Sequence, residues 1–183
     1  MKFGKEVVEY YMMESRPGGV TGWICIKEEN MRKIIIVSVA LILLLVASAC
    51  DMEVYDDDEK ILRHGNSHSA SHISQTKTGT TVGGRVKEMT GMATLWRYDV
   101  PWEESVEVAY GISVEKGRVK MVFISPNDEI TVLTELTEPG QDVGEKELTL
   151  KKGESRIKIV ASDRAKFDFL LEVHKGEIEG IGD

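Results

Sequence analysis

Cysteine is nearly absent from this chain of 183 residues, which has only Cys25 and Cys50. Two such distant thiols make no Cys-x-x-Cys pair, so cysteine-based metal sites and dithiol redox centres are excluded. Positive charge is also short, with 23 Lys+Arg against 31 Asp+Glu and a net charge of −8. Nucleic-acid backbones are held by clustered Lys and Arg that displace counterions, so a nucleic-acid partner is excluded. Peripheral adhesion to an anionic membrane by charge alone is excluded for the same reason. The familiar catalytic patterns are missing too. There is no H-E-x-x-H, no G-x-S-x-G and no phosphate-cradling G-x-x-x-x-G-K. No catalytic residue is assigned and no cofactor is expected.

One long hydrophobic run is present. Arg32 and Lys33 precede Ile34 to Val46, an apolar stretch relieved only by Ser38. Ala47, Ser48 and Ala49 are small, and Cys50 follows. Positive charge, an apolar run and then small residues describe a secretory signal peptide over residues 31–49. The run is short for a permanent span, which needs about 20 apolar residues.

Val46-Ala47-Ser48-Ala49-Cys50 resembles the lipobox of bacterial lipoproteins. Ala47 departs from that pattern, where Leu is commonest. The resemblance implies recognition of Val46 to Ala49 by signal peptidase II, and diacylglyceryl modification of the Cys50 thiol. Cys50 would then be the first mature residue, lipid-anchored on the extracytoplasmic face of a bacterial cell membrane. Each buried acyl CH₂ contributes roughly 0.8 kcal/mol, so the chains on one cysteine hold a soluble domain firmly.

Residues 1–30 sit awkwardly before such a signal. They are aperiodic and broken by Pro17-Gly18-Gly19. Lys27-Glu28-Glu29 can be encoded by a purine-rich run that resembles a ribosome-binding sequence upstream of Met31. The segment is therefore read as untranslated, or as a disordered extension, with Met31 as the start.

From Cys50 onward the chain has 17 basic and 26 acidic residues. Residues 50–84 read as a linker, acidic at first and then rich in Ser, Thr, His and Gly, with too little apolar surface to offset the entropy of ordering. Within it His64, His68 and His72 recur every four residues. On a helix they would share one face and offer three imidazoles to a divalent metal such as zinc. The poor helix formers between them favour a solvated linker instead.

Residues 85–174 show period two. Val106, Val108, Tyr110, Ile112 and Val114 alternate with Glu107, Ala109, Gly111, Ser113 and Glu115. Val119 to Ile124, Ile130 to Leu136, Arg156 to Ala161, and Phe167 to Val173 give further strands. Glu115-Lys116-Gly117, Ser125 to Asp128 and Ser162 to Ala165 read as turns between them. The expected fold is all-β: an antiparallel β-sandwich of about seven strands, after a cleavable signal helix and a disordered linker. Residues 175–183 read as a flexible tail.

Leu148 to Val160 is similar to the L-x-x-G-x-N-x-I-x-I hairpins of galactose-binding-like and other carbohydrate-binding jelly rolls, with Ser155 where Asn is often found. Trp96, Tyr98 and Trp102 are candidate ligand-binding aromatics, able to stack on a sugar or grip a peptide if exposed. Trp102, between Pro101 and Glu103, looks loop-borne, while Trp96 and Tyr98 share a face that is more often inward. His174 is read as a surface residue. The function implied is a non-catalytic binding or interaction module held at the membrane by lipid. The alternative is a carbohydrate-binding accessory module of an envelope enzyme or transporter. The partners expected are the membrane itself and an envelope protein or polysaccharide.

Overall fold

The computed structural model describes residues 54–183. The signal peptide, its peptidase-recognition residues, Cys50 and the 1–30 segment lie outside the described residues.

The described chain starts with a 3₁₀ turn, Val54–Asp56, and one helical turn, α1, Asp58–Ile61. Seven antiparallel strands follow: β1 Ser67–Thr78, β2 Thr81–Val100, β3 Glu104–Ile124, β4 Ile130–Leu136, β5 Gly140–Leu150, β6 Gly153–Val173 and β7 Glu177–Ile178. They form one continuous sheet in the order β1-β2-β6-β3-β4. β5 pairs with the first half of β3, and β7 with β2.

A crease converts this single sheet into two layers. Midway along, the register slips between Val86 and Gly91 of β2 and between Val114 and Arg118 of β3. Left-handed backbone collects at the same level: His72 in β1, Gly117 in β3, and Asp163 and Arg164 in β6. Bulges of this kind bend a strand sharply. At Gly117, φ is +81° and an added Cβ would lie 2.6 Å from the Ser162 carbonyl oxygen. Only glycine fits there.

The two leaves close like a book. Residues 101–103, 151–152 and 174–176 each step from one leaf to the other at the open end. The inward faces make one core, with Val82, Val108, Ile112, Phe167, Phe169 and Leu171 of one leaf against Ala93, Met121, Phe123, Ile157 and Ile159 of the other. The fold is thus the expected antiparallel sandwich.

Several local expectations are corrected. Glu115-Lys116-Gly117 and Ser162 to Ala165 do not reverse the chain. They are the crease within single strands of 21 residues each, β3 and β6. Most of the expected linker is built structure. β1 pairs along its length with β2, and residues 54–66 pack on the sheet. Its polar side chains suit an edge strand, where backbone pairing rather than side-chain burial holds the chain. The expected flexible tail is tied down as well. Ile181 is buried, and its carbonyl and amide bond both ends of the Gln75 side-chain amide at 3.1 and 2.9 Å.

Candidate functional site

The two leaves differ on their outer faces. One leaf comprises residues 91–100 of β2, 153–161 of β6, 118–124 of β3, and β4. Its outer face places Met92, Val122, Ile124 and Val160 side by side, and Tyr55 and Ile61 cover them. Residues 54–66 act as a strap over this face. The Tyr55 hydroxyl donates to Glu135 Oε1 at 2.8 Å, and Arg118 stacks 4.5 Å from its ring centroid. Burial and then the bond to Glu135 push the Tyr55 hydroxyl well above the usual phenol range.

Two buried cations tie the strap down. Arg156, its side chain 2% exposed, donates to the Leu62 carbonyl at 3.2 Å. Lys158 donates to the carbonyls of Arg63 and Gly65, the second at 3.3 Å. Burial, and then the neighbouring Arg156 charge, hold the Lys158 ammonium down to about 8. Asn66 Oδ1 accepts from both the amide (2.8 Å) and the hydroxyl (2.9 Å) of Thr94. The strap is therefore part of the domain.

The other leaf comprises residues 73–78 of β1, 81–86 of β2, 167–173 of β6, 104–114 of β3, and β5. No strap covers it among the described residues. Its outer face can be read as rows across the strands. Glu107 stands opposite Glu147. In the next row Ala109 lies between Glu172 and Glu145. The row after that runs Gly83, Leu170, Gly111, Val143. The floor is low because glycine and alanine supply it, so Leu170 (46% exposed) and Val143 (77% exposed) stand clear. A shallow cleft of about 290 Å³ opens over the first two rows and is rimmed by His174.

At the open end next to this face lies Trp102, 69% exposed. Its neighbour Glu104 is held by Lys175 and by the Tyr98 hydroxyl, and those bonds, Lys175 first, keep its carboxyl below the usual range.

The other aromatics are placed differently. Trp96 is fully buried and donates its indole N–H to the Lys175 carbonyl at 2.6 Å. An irregularity between Thr94 and Trp96 turns it inward. Tyr98 packs edge-on to it, ring centroids 6.1 Å apart. Of the three candidate aromatics, Trp102 alone is exposed.

The histidines do not converge on a metal. Among the described residues no group of three or more His, Cys, Asp or Glu is placed to hold an ion. The reason is backbone geometry. His68 and His72 lie on a strand, where four residues span about 13 Å rather than one helical turn. His64 lies before the strand and pairs with Glu154 at 3.2 Å. His174 is exposed, 3.6 Å from Glu172. The glutamate rows carried no sequence signal as a site. They are outward positions of ordinary alternation, and only the pairing of β5 with β3 brings them together.

No family model matches the chain, and no curated protein does. Among solved structures, similarity is found to a Cellvibrio mixtus lichenase carbohydrate-binding module in complex with cellotriose. The identity is 13% over 61% of this chain and 91% of that one, with a TM-score of 0.36. A family 29 carbohydrate-binding module complexed with mannohexaose is 12% identical over 61% and 82%, TM-score 0.36. A family 61 module in complex with β-1,4-galactotriose is 12% identical over 62% and 90%, TM-score 0.39. Scores this low carry no argument about ligand, so the leaves and their chemistry must carry it.

Proposed function

We propose that this chain is a lipid-anchored, extracytoplasmic, non-catalytic binding module that works through the outer face of its bare leaf. The observation that carries the binding role is the asymmetry between the two leaves. A sheet face is normally covered, or solvated by charged and polar side chains. One outer face here is sealed by the chain's own strap. The other presents a cleft, two exposed aliphatic side chains and unopposed carboxylates. Anchoring is supported by the sequence 31–50 alone, through the lipobox resemblance. Three residues, 51–53, lie between Cys50 and Val54, where the described chain begins. Four Cα–Cα steps span at most about 14 Å, which bounds any tether between a lipidated Cys50 and Val54.

A second reading, carbohydrate binding, is favoured by one observation. Trp102 is an exposed indole at the open end, with Glu103 beside it and Glu104 next in the chain. Indoles stack on sugar rings, and carboxylates accept hydroxyl hydrogen bonds.

Fractionation tests the anchor. Wild-type protein is expected in the membrane fraction at the mass of a chain starting at Cys50. Cys50→Ser should remain unprocessed. Identical processing of both forms would contradict the lipid anchor. For the sugar reading, soluble polysaccharide should quench or protect Trp102 fluorescence, and Trp102→Phe should remove that signal. An unchanged spectrum at high polysaccharide would exclude it.

A further inference from the structure

We propose that the bare outer face docks an extended, Lys/Arg-rich segment of a protein partner, with aliphatic side chains seated against Leu170 and Val143. This rests on the reading of that leaf as the binding surface, and it names the partner class.

Glu107 and Glu147 are direct cross-strand neighbours. Like charges in that position destabilise a sheet unless something neutral or cationic intervenes. Elsewhere on the domain, acids of the strands and the C-terminal segment are paired with cations. Asp168 binds Arg85 at 2.7 Å, Glu88 binds Arg164 at 2.8 Å, Glu115 binds Lys166 and Asp183 binds Lys77. Glu107, Glu145 and Glu147 have no ion pair and no side-chain hydrogen bond among the described residues. Lys146 is the one lysine or arginine lining the cleft among the described residues, and His174 at the rim faces Glu172. The face therefore holds surplus negative charge, whereas the carboxylate of Asp168 on the same leaf is paired with Arg85.

The row Gly83, Leu170, Gly111, Val143 lies directly beside the acidic rows. A Cβ at Gly83 would come within 3.0 Å of Leu170 Cδ1, and one at Gly111 within 3.5 Å of Val143 Cγ2. Larger residues there would fill the trough on either side of Leu170. An extended segment alternating cationic and aliphatic side chains would meet both features. Stacking of sugar rings has no platform on this face, because none of its rows contains an aromatic side chain.

The test uses two probes on the purified full chain: a Lys-Leu alternating heptapeptide, and the same peptide with Gln for every Lys. Binding is read by calorimetry and by NMR shifts. The lysine probe is expected to bind at least about tenfold tighter than the neutral one, with the margin falling steeply with salt. It should perturb Leu170 and Val143. Glu107→Gln/Glu147→Gln should remove most of that margin. Glu59→Gln/Glu138→Gln takes the same charge from exposed, unpaired positions elsewhere and should keep it. Equal loss in both double variants would show nonspecific attraction and overturn the proposal. Equal binding of the two probes would overturn the cationic assignment while leaving the leaf a binding surface. Binding of neither would overturn both readings.

Discussion

Lys158 shows what burial does to a single side chain here. It is fully buried, and its hydrogen bonds go to carbonyls and to Met92 Sδ at 3.8 Å rather than to a carboxylate. Its ammonium titrates near 8 in the fold and near the ordinary lysine value when unfolded. Between those values the unfolded chain binds a proton that the folded chain does not. Stability contributed at this site therefore rises as pH increases from about 8 toward 10.5. Tyr55 acts in the opposite sense only above the usual phenol range, so a window of pH 8 to 9.5 isolates the lysine. Urea midpoints should climb across that window for the wild type, and the climb should be largely lost in Lys158→Met. Equal slopes would contradict the account. Trp96 gives a second prediction at this scale. Trp96→Ala should cost about 3–5 kcal/mol by removing a buried indole and orphaning the Lys175 carbonyl. Trp102→Ala should cost less than about 0.5 kcal/mol, because that indole is exposed.

At the scale of elements, the strap and the crease decide the architecture. Ile61→Ala opens a hole between the strap and Val122, Ile124 and Val160. A loss of roughly 2–4 kcal/mol in urea unfolding is expected. A chain beginning at Gly79 would lack both the strap and β1 while keeping all of β2. It should aggregate, whereas a domain preceded by a mere linker would not notice the deletion. Gly117→Val forces a β-branched residue to positive φ against the Ser162 carbonyl, and should cost at least about 2 kcal/mol.

These elements also show what the sequence makes legible. Alternation in Val106 to Val114 and Phe167 to Val173 reveals strands and their inward faces, and hence an antiparallel sandwich. The same alternation does not distinguish a turn from a crease. Gly117 supplies positive φ for either, and the choice depends on pairing with β6, which is remote in sequence. β1 is illegible for a related reason. Ser67 to Thr78 buries little, so its pairing with β2 leaves almost no hydrophobic pattern. The histidine spacing misleads because residues four apart are one turn apart on a helix but about 13 Å apart on a strand. Trp102 was readable as loop-borne from its Pro and Glu neighbours, whereas the glutamate rows emerge only once β5 is set against β3.

For the molecule as a whole, one folded sheet yields two outer faces with opposite fates. The strap seals one and the other stays open, and the proposed role follows from that difference.

Thiol labelling measures that difference directly. In a full-length chain with Cys25→Ser and Cys50→Ser, single substitutions Leu170→Cys, Val143→Cys, Met92→Cys and Val122→Cys are compared for their rate of reaction with a maleimide. The account predicts rapid labelling at 170 and 143. At 92 and 122 labelling should be slowed by orders of magnitude until urea unfolds the chain. Comparable rates at all four positions would mean that residues 54–66 do not cover their leaf, and the contrast between sealed and open faces would be wrong.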